Sequence, residues 1–259
     1  MRLLKTKVVV TGAASGIGAE TVRELKREGA TVVGVDRNPA EGVDHFVRAD
    51  LSDPASIAHA AAAVGGGIDA LCNIAGLPPT RSAAAVLRVN FLGLRAFTEA
   101  MIGQMNNGAS IVNLASLAGL GWAQAADTVR ALMALRAFPE VEQFCEDHHV
   151  DDARSYFLSK EALIVWTMLN RWTWRDRGIR MNCVSPGPVQ TPILADFIQT
   201  LGARAEEDMK VMDRPGTPQD IAPVVTFLCS SQSAWIRGAN IPCDGGMYAH
   251  VLTQMHGFA

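Results

Sequence analysis

The sequence predicts an α/β fold of the doubly wound kind, in which helices cover both faces of a parallel β-sheet. Apolar, β-branched runs alternate with segments of helical periodicity along most of the chain, which indicates right-handed βαβ units. Hydrophobic residues make up 49% of the 259 residues and charged residues 19%, enough apolar material for one large core. Because the sequence contains no interdomain linker, we expect a single domain over residues 1–259.

Seven short runs are the candidate strands. They lie at residues 7–11, 31–35, 45–47, 68–74, 110–115, 179–184 and 240–243. The first helix is predicted from apolar residues at helical spacing over 21–28, and Gly29 ends it. Similar segments separate most of the later runs, so the sheet is expected to be buried on both faces.

Composition and charge exclude several classes of function. The net charge of −3 provides no basic surface for nucleic acid, and no run approaches the roughly 18 apolar residues of a membrane helix. The apolar run at 8–10 is too short for a signal sequence, so we expect a cytoplasmic protein. The five cysteines show no CxxC spacing, and the adjacent His148 and His149 have no further ligands nearby, which predicts free thiols and no metal site.

A glycine-rich turn follows the first strand and opens the first helix. Gly12 permits a sharp turn, Gly16 permits close approach of the backbone, and Gly18 permits tight packing of helix on strand. Ser15 and Ile17 complete the turn, whose free N–H groups lie at the positive end of the helix dipole. This arrangement predicts a site for the pyrophosphate of a dinucleotide.

Acidic residues end the next two strands. Asp36 can accept hydrogen bonds from both hydroxyls of an adenosine ribose, and it would repel the 2′-phosphate of NADP. Arg37 can offset that repulsion, so the pair favours NAD and leaves NADP as the less favoured cofactor. The alternative for Asp36 is a simple turn cap. Asp50 and Leu51, after the third strand, are expected to contact the adenine.

Two further loops complete the predicted cofactor site. Small residues after the fourth strand would let a cofactor lie across the sheet edge; the segment contains Asn73, Ala75 and Gly76. The loop after the sixth strand can hold a nicotinamide carboxamide through its backbone and a threonine hydroxyl; its residues are Pro186, Gly187, Val189 and Thr191.

Tyr156 and Lys160 lie four residues apart in a helical stretch, so their side chains project from one face. A free tyrosine has a pKa near 10, and about one in a thousand is ionised at pH 7. A neighbouring ammonium group and an oxidised nicotinamide would both favour the phenolate. The pattern therefore predicts that Tyr156 exchanges a proton with an alcohol or carbonyl oxygen.

Two polar residues are expected to complete this group. Ser116 follows the fifth strand at the carboxyl edge of the sheet, where ligands bind in such folds, and its hydroxyl can hold the substrate oxygen. Asn90 sits in a helical segment, where its polar side chain can hold a water molecule next to Lys160.

Together these motifs resemble the short-chain dehydrogenase/reductase family over nearly the whole chain. The resemblance rests on the glycine turn at 11–18, Asn73-Ile74-Ala75-Gly76, Asn90, Ser116, Tyr156-x-x-x-Lys160 and Pro186-Gly187-Pro188. It implies a Rossmann-like sheet of seven strands, a tetrad of Asn90, Ser116, Tyr156 and Lys160, contact between Lys160 and the nicotinamide ribose, and a homodimer or homotetramer.

The segment 119–152 departs from the family pattern, because the spacing from Ser116 to Tyr156 is much longer than usual. Helical spacing around Leu132 and a helix-opening Pro139 predict an inserted helical hairpin near the active site. We expect it to cover the substrate, since long excursions beside active sites are often lids. The alternative is a purely structural insertion.

Apolar residues near the predicted site indicate a hydrophobic substrate. They are Leu117, Trp122, Pro188, Ile193, Leu194 and Phe197. With few charges to hold an ionic ligand, this set favours phenylpropenols or steroids over sugars or hydroxy acids. A helix that closes over the pocket is expected to have a solvated face made of Asp196, Glu206, Glu207, Asp208 and Lys210.

Three functions are weighed from the sequence. The first is NAD-dependent interconversion of a hydrophobic, coniferyl-type alcohol and its aldehyde or ketone, because segments 157–166 and 180–194 resemble coniferyl-alcohol dehydrogenases. The second is a 3α-hydroxysteroid dehydrogenase/carbonyl reductase, because bacterial enzymes of that branch carry a similar insertion. The third is a dinucleotide-sensing module without catalysis. Tyr156 and Lys160 argue against a sensor, which needs neither.

Overall fold

Seven parallel strands form the centre of the structure, a computed structural model that describes residues 3–202 and 211–258. The strands are β1 (Lys7–Thr11), β2 (Thr31–Asp36), β3 (His45–Arg48), β4 (Ile68–Asn73), β5 (Met105–Leu114), β6 (Arg180–Pro186) and β7 (Asn240–Cys243). They form one sheet in the order β3-β2-β1-β4-β5-β6-β7, and every neighbouring pair is parallel. The predicted doubly wound fold is confirmed.

Helices connect the strands and cover both faces of the sheet. They are α1 (Gly16–Arg27), α2 (Pro54–Val64), α3 (Ala83–Leu87), α4 (Leu94–Met101), α5 (Ala126–Ala134), α6 (Val141–Asp147), α7 (Asp152–Leu169), α8 (Leu194–Leu201), α9 (Pro218–Cys229) and α10 (Met247–Met255). A π-helical turn, Arg88–Gly93, joins α3 to α4, and a 3-10 helix spans Leu117–Ala123. No helix within the described ranges is long and apolar enough to cross a membrane.

The expected closing helix falls only partly within the described residues. Asp196 lies on α8, and its Oδ1 accepts a hydrogen bond from Thr80 Oγ1 at 2.6 Å. The other polar residues expected on that helix lie outside the described residues; they are Glu206, Glu207, Asp208 and Lys210.

Alternate residues of each strand pack against different helices, because neighbouring side chains of a strand point to opposite faces. In β1, Val8 and Val10 share a buried cluster with Val22 of α1 and Val225 of α9. Val9, between them, belongs to a second cluster that includes buried residues of α2, α4 and α7. Both faces of the sheet are therefore buried, as its nearly continuous apolar strands predict.

The order of the strands places a crevice between the carboxyl ends of β1 and β4, where the direction of winding reverses. The Thr11 hydroxyl accepts hydrogen bonds from Ile74 N at 3.0 Å and from Ala75 N at 3.2 Å, which ties the two strand ends together. The loops that carry most of the predicted site residues leave the sheet at this edge.

Helix α7 is held at its start and near its end. The Asp151 carboxylate caps it by accepting a hydrogen bond from Arg154 N at 2.7 Å. Near the other end, Asn113 Nδ2 of β5 donates a hydrogen bond to Thr167 Oγ1 at 2.9 Å. The first contact caps the helix, and the second attaches α7 to β5.

The segment 119–152 contains the two predicted helices, α5 and α6. Their buried apolar side chains are Val129, Leu132, Val141 and Phe144. Helix α5 packs on α7, and α6 packs on α3. The buried Arg95 of α4 donates hydrogen bonds to the carbonyl groups of Met133 and Leu135, so it caps the end of α5 and holds the hairpin against the domain.

Replacing Gly119 with alanine is expected to lower the free energy of unfolding by about 1–3 kcal/mol. The reason is that an added Cβ would lie 2.7 Å from the Lys160 carbonyl oxygen and 2.7 Å from Ile164 Cδ1. Urea denaturation followed by tryptophan fluorescence measures the change. The matched control is Gly103→Ala, where an added Cβ has no atom within 4 Å. Equal stability of the two variants would contradict the close packing of the 3-10 helix on α7.

Candidate active site

A cavity of about 1200 Å³ opens at the carboxyl edge of the sheet and gathers most of the residues singled out in the sequence. One part is lined by Gly12, Ser15, Gly16, Ile17, Gly18, Asp36, Arg37, Asp50, Leu51, Ala75, Gly76, Pro186, Gly187, Val189 and Thr191. Another part is lined by Ser116, Leu117, Trp122, Tyr156, Lys160, Pro188 and Leu194. The volume exceeds the roughly 300–1,000 Å³ of a typical small-molecule site, as a dinucleotide together with a substrate requires.

The glycine turn has the shape of a phosphate cradle. A Cβ added at Gly18 would lie 1.9 Å from Gly12 O, and one at Gly12 would lie 2.7 Å from Ala75 N. Side chains at these positions would therefore push the turn away from α1 and β4. The Ser15 side chain makes no capping hydrogen bond, so the N–H groups of the first turn of α1 are free of a side-chain cap. The residues present fit the pyrophosphate of a dinucleotide.

Asp36 ends β2 beside this turn. Its Oδ2 accepts a hydrogen bond from Ala14 N at 3.1 Å, and its Oδ1 accepts one from Asn38 N at 2.9 Å. The carboxylate therefore does cap the local turns, as one reading of the sequence expected. An ionised carboxylate can accept about four hydrogen bonds, so Asp36 also retains acceptor capacity toward the cavity that it lines.

Asp50 and Arg37 form the outer part of the same wall. Arg37 Nη1 lies 3.9 Å from Asp50 Oδ2. Burial raises the pKa of Asp50, but hydrogen bonds from Ser52 and the charge of Arg37 outweigh burial and bring that pKa below its ordinary value. Asp50 therefore remains an anionic acceptor at neutral pH.

Asn73 is buried and does not line the cavity. Its Nδ2 donates hydrogen bonds to Thr98 Oγ1 and to Asn113 Oδ1, both at 2.9 Å, and so links β4 to α4 and β5. The Asn73 side chain therefore links elements of the fold, and its contact with a cofactor stays a prediction. Ala75 and Gly76 of the same segment do line the cavity.

The three residues expected at the reacting centre lie on two adjoining elements. Tyr156 and Lys160 are one turn apart on α7, and the Lys160 ammonium is 5.5 Å from the centre of the Tyr156 ring. Lys160 Nζ donates a hydrogen bond to Leu114 O at 2.8 Å. Ser116 caps the 3-10 helix, and its Oγ accepts a hydrogen bond from Ala118 N at 3.1 Å.

Burial controls the acidity of both groups on α7. It raises the pKa of Tyr156 to about 12, and a hydrogen bond with Ser116 offsets only part of that effect. It lowers the pKa of Lys160 to about 8. In the protein alone, the pKa of Tyr156 therefore lies above its ordinary value, because burial outweighs the hydrogen bond with Ser116. That Lys160 and an oxidised nicotinamide favour the phenolate stays a prediction.

Asn90 lies in the π-helical turn and is buried behind the cavity. Its Oδ1 accepts a hydrogen bond from Leu77 N at 2.7 Å, and its Nδ2 donates one to Leu77 O at 3.0 Å. A Cβ added at Gly76 would lie 3.4 Å from Asn90 Oδ1 and 3.9 Å from Lys160 Nζ, so both side chains border this glycine. The side-chain amide is thus bonded to the loop after β4, and its contact with a water molecule next to Lys160 stays a prediction.

An apolar wall adjoins the reacting centre. The Phe197 ring of α8 meets the Tyr156 ring edge-on, with 4.7 Å between the ring centres. Trp122 contributes from the 3-10 helix, whereas no residue of α5 or α6 lines the cavity. The segment 119–152 was expected to cover the substrate, but only its first residues line the cavity. Its two helices pack on α7 and α3 instead.

Sequence reasoning missed the wall formed by α10. Its cavity-lining residues are Met247, Tyr248, Val251, Leu252 and Met255. The signal was present as apolar residues at helical spacing, but a pattern of that kind does not show which surface the helix covers.

Comparisons with known proteins agree with this geometry. The family profile of short chain dehydrogenases matches residues 6–126, and a profile described as enoyl-(acyl carrier protein) reductase matches residues 142–248. A coniferyl-alcohol dehydrogenase from Pseudomonas sp. (strain HR199) is 44% identical over 250 residues, which cover 95% of this chain and 98% of that protein.

The chain belongs to the short-chain dehydrogenase/reductase family. Another relative, the 3-alpha-hydroxysteroid dehydrogenase/carbonyl reductase of Comamonas testosteroni, is 31% identical over 93% of this chain and 96% of its own length. The crystal structure of a 3-alpha-hydroxysteroid dehydrogenase from Pseudomonas sp. B-0831, complexed with NADH, matches with a TM-score of 0.82 and 30% identity, covering 95% of this chain and 98% of that one.

Family membership establishes the class of reaction. Short-chain dehydrogenases bind a nicotinamide dinucleotide, and this protein is an oxidoreductase that acts on alcohol groups. The glycine cradle and the carboxylates of the cavity provide the side chains and backbone groups that such a dinucleotide requires.

Replacing Lys160 with methionine is expected to stabilise the protein at pH 7 and to lose this advantage toward pH 10. Because the pKa of Lys160 drops from 10.5 to about 8 in the folded state, its charged form destabilises the fold below pH 8, by about 3 kcal/mol at most. This penalty disappears as pH rises from 8 to 10.5. Urea denaturation of both proteins at pH 7 and pH 10 measures it. A difference that does not change with pH would contradict the burial of a charged lysine.

Proposed function

We propose that this protein interconverts a hydrophobic, coniferyl-type alcohol and its aldehyde with NAD, and that Tyr156 is its general acid and base. The observation that carries the proposal is the position of Tyr156 and Ser116 in one cavity, between a glycine-lined cradle and an apolar wall. The 44% identity to a coniferyl-alcohol dehydrogenase supports the choice of alcohol. The proposed substrate contacts are Ser116, Leu117, Trp122, Tyr156, Pro188 and Leu194.

In the proposed reaction, Ser116 holds the alcohol oxygen and Tyr156 removes its proton. Both residues line the cavity, and the Ser116–Tyr156 hydrogen bond favours the ionised tyrosine. A bound oxidised nicotinamide would supply the hydride acceptor, and its positive charge would favour the tyrosinate that burial disfavours. In the direction of reduction, the protonated Tyr156 acts as the acid. Lys160 keeps a positive charge on the same face of α7 at neutral pH.

The proposed preference for NAD rests on Asp36. Its carboxylate lies at the end of β2 and lines the cavity, where it would accept hydrogen bonds from ribose hydroxyls and repel a 2′-phosphate. Arg37 would favour NADP, but its Nη1 lies 3.9 Å from Asp50 Oδ2, and this carboxylate offsets part of its positive charge. The NADH in the structure of the Pseudomonas sp. B-0831 relative supports the same choice.

Oxidation of a hydroxysteroid, or reduction of a carbonyl, is the second candidate. It is supported by the 31% identity to the Comamonas testosteroni protein and by the TM-score of 0.82 to the Pseudomonas sp. B-0831 structure. The apolar wall suits either a phenylpropenol or a steroid. A dinucleotide sensor is disfavoured, because nothing in sensing requires a buried lysine one turn from a buried tyrosine.

We also expect a homodimer or homotetramer, because members of this family are commonly oligomeric. Helices α5 and α6 lie on α7 and α3, so a partner that approached this side would meet the hairpin first. Any subunit contact there would therefore include residues of the segment 119–152.

Replacing Tyr156 with phenylalanine is expected to lower kcat for coniferyl alcohol by about 100- to 10,000-fold, because the proton acceptor is removed. Binding of NADH, measured by fluorescence titration, is expected to stay within twofold of the parent and serves as the control for folding. The parent is assayed with coniferyl alcohol and androsterone, each with NAD and NADP. If the parent turned over androsterone but not coniferyl alcohol, the hydroxysteroid dehydrogenase function would be supported instead. If Tyr156→Phe turned over coniferyl alcohol as fast as the parent, Tyr156 would not be the general acid and base.

Replacing Asp36 with asparagine is expected to lower kcat/KM with NAD by about tenfold or more, because charged hydrogen-bond partners contribute about 1.5–3 kcal/mol. The difference in kcat/KM between NAD and NADP is expected to become smaller. The ratio of kcat/KM for the two cofactors measures the change. Asp69→Asn is the matched control, since Asp69 accepts hydrogen bonds from Lys7 N and Asn106 outside the cavity. An unchanged ratio in Asp36→Asn would leave this carboxylate with a turn-capping role alone.

A further inference from the structure

Helix α10 presents an apolar face to the cavity. Met247 is buried at its start, and Val251 and Met255 follow at intervals of four residues on the same face, with Leu252 beside them. Val251, Leu252 and Met255 all line the cavity. They nevertheless remain exposed to solvent, Val251 to 42%, Leu252 to 39% and Met255 to 68%. Large apolar side chains that remain in contact with water are stabilised when another apolar surface covers them.

A second part of the cavity lining is also apolar. It includes Leu194, Phe197 and Ile198 of α8, and Ile198 is 39% exposed. Phe197 packs on Tyr156, so this wall begins at the reacting centre. Both helices therefore contribute apolar side chains to the cavity that Tyr156 lines.

The start of α10 is held in place by Asp244. Its Oδ1 accepts a hydrogen bond from Gly246 N at 3.0 Å, and its Oδ2 accepts one from Tyr248 N at 2.8 Å. Because Asp244 directly follows β7, these bonds set the direction in which α10 leaves the sheet. The apolar face is thus directed to the cavity by the local structure at the end of the last strand.

We infer that Val251, Leu252 and Met255 determine substrate specificity by contacting the apolar body of the alcohol. The inference rests on the proposed function. A second copy of the chain is the other possible occupant of this face. The substrate is favoured because the three side chains share one cavity with Tyr156 and Ser116.

The test compares two alcohols that share an allylic CH2OH group, coniferyl alcohol and allyl alcohol, which lacks the ring. In the double variant Leu252→Ser/Met255→Ser, kcat/KM for coniferyl alcohol is expected to drop about tenfold or more, since each lost apolar group in a hydrophobic pocket weakens discrimination by at least that order. Turnover of allyl alcohol and the Kd of NADH are expected to change less than twofold.

The matched control is Ala249→Ser/Thr253→Ser, which alters the same helix at positions that do not line the cavity. Thermal unfolding and light scattering are measured for both variants. Unchanged turnover of coniferyl alcohol, equal losses with both alcohols, or a smaller assembled mass in the first variant would each overturn the inference. If the parent turns over neither alcohol, the proposed function itself is wrong; if it turns over coniferyl alcohol and the variant matches it, only the role of α10 is wrong.

Discussion

The hydrogen bond from Lys160 Nζ to the carbonyl oxygen of Leu114, at 2.8 Å, joins the two segments of chain that meet at the candidate active site. Leu114 ends β5, Ser116 follows two residues later, and Tyr156 lies one turn before Lys160 on α7. The contact thus brings together groups that are distant in the sequence. Because Gly119 lets the continuation of β5 lie directly on α7, the same helix also supports one wall of the cavity.

This arrangement buries two titratable groups and makes both resist ionisation. Burial raises the pKa of Tyr156 to about 12 and lowers that of Lys160 to about 8. At neutral pH the fold therefore contains a buried ammonium group, whose loss of hydration lowers the free energy of unfolding. An apolar residue at the same position would not have this cost. Buried titratable groups that destabilise the fold and lie in a cleft are typical of functional sites rather than of structural ones.

The walls around this centre come from regions that differ in how they are held. Helices α5 and α6 have their own buried contacts and pack against the domain, with Arg95 capping the end of α5. Helices α8 and α10, in contrast, keep exposed apolar side chains toward the cavity, among them Ile198 and Leu252. When a ligand covers exposed apolar surface, the burial of that surface favours binding. Recognition of the substrate is therefore expected to depend on these two helices more than on the hairpin.

The sequence by itself determined the seven-stranded parallel sheet, the glycine turn and the pairing of Tyr156 with Lys160. Each depends on a local rule: the alternation of strand and helix periodicity, the lack of space for a Cβ, or the spacing of one helical turn. The tertiary structure decided the rest. It gave Asn73 and Asn90 structural hydrogen-bond partners, made burial outweigh the Ser116 hydrogen bond at Tyr156, and placed α10 rather than the hairpin at the cavity. These outcomes depend on burial and on contacts between residues far apart in the chain, which no local pattern contains.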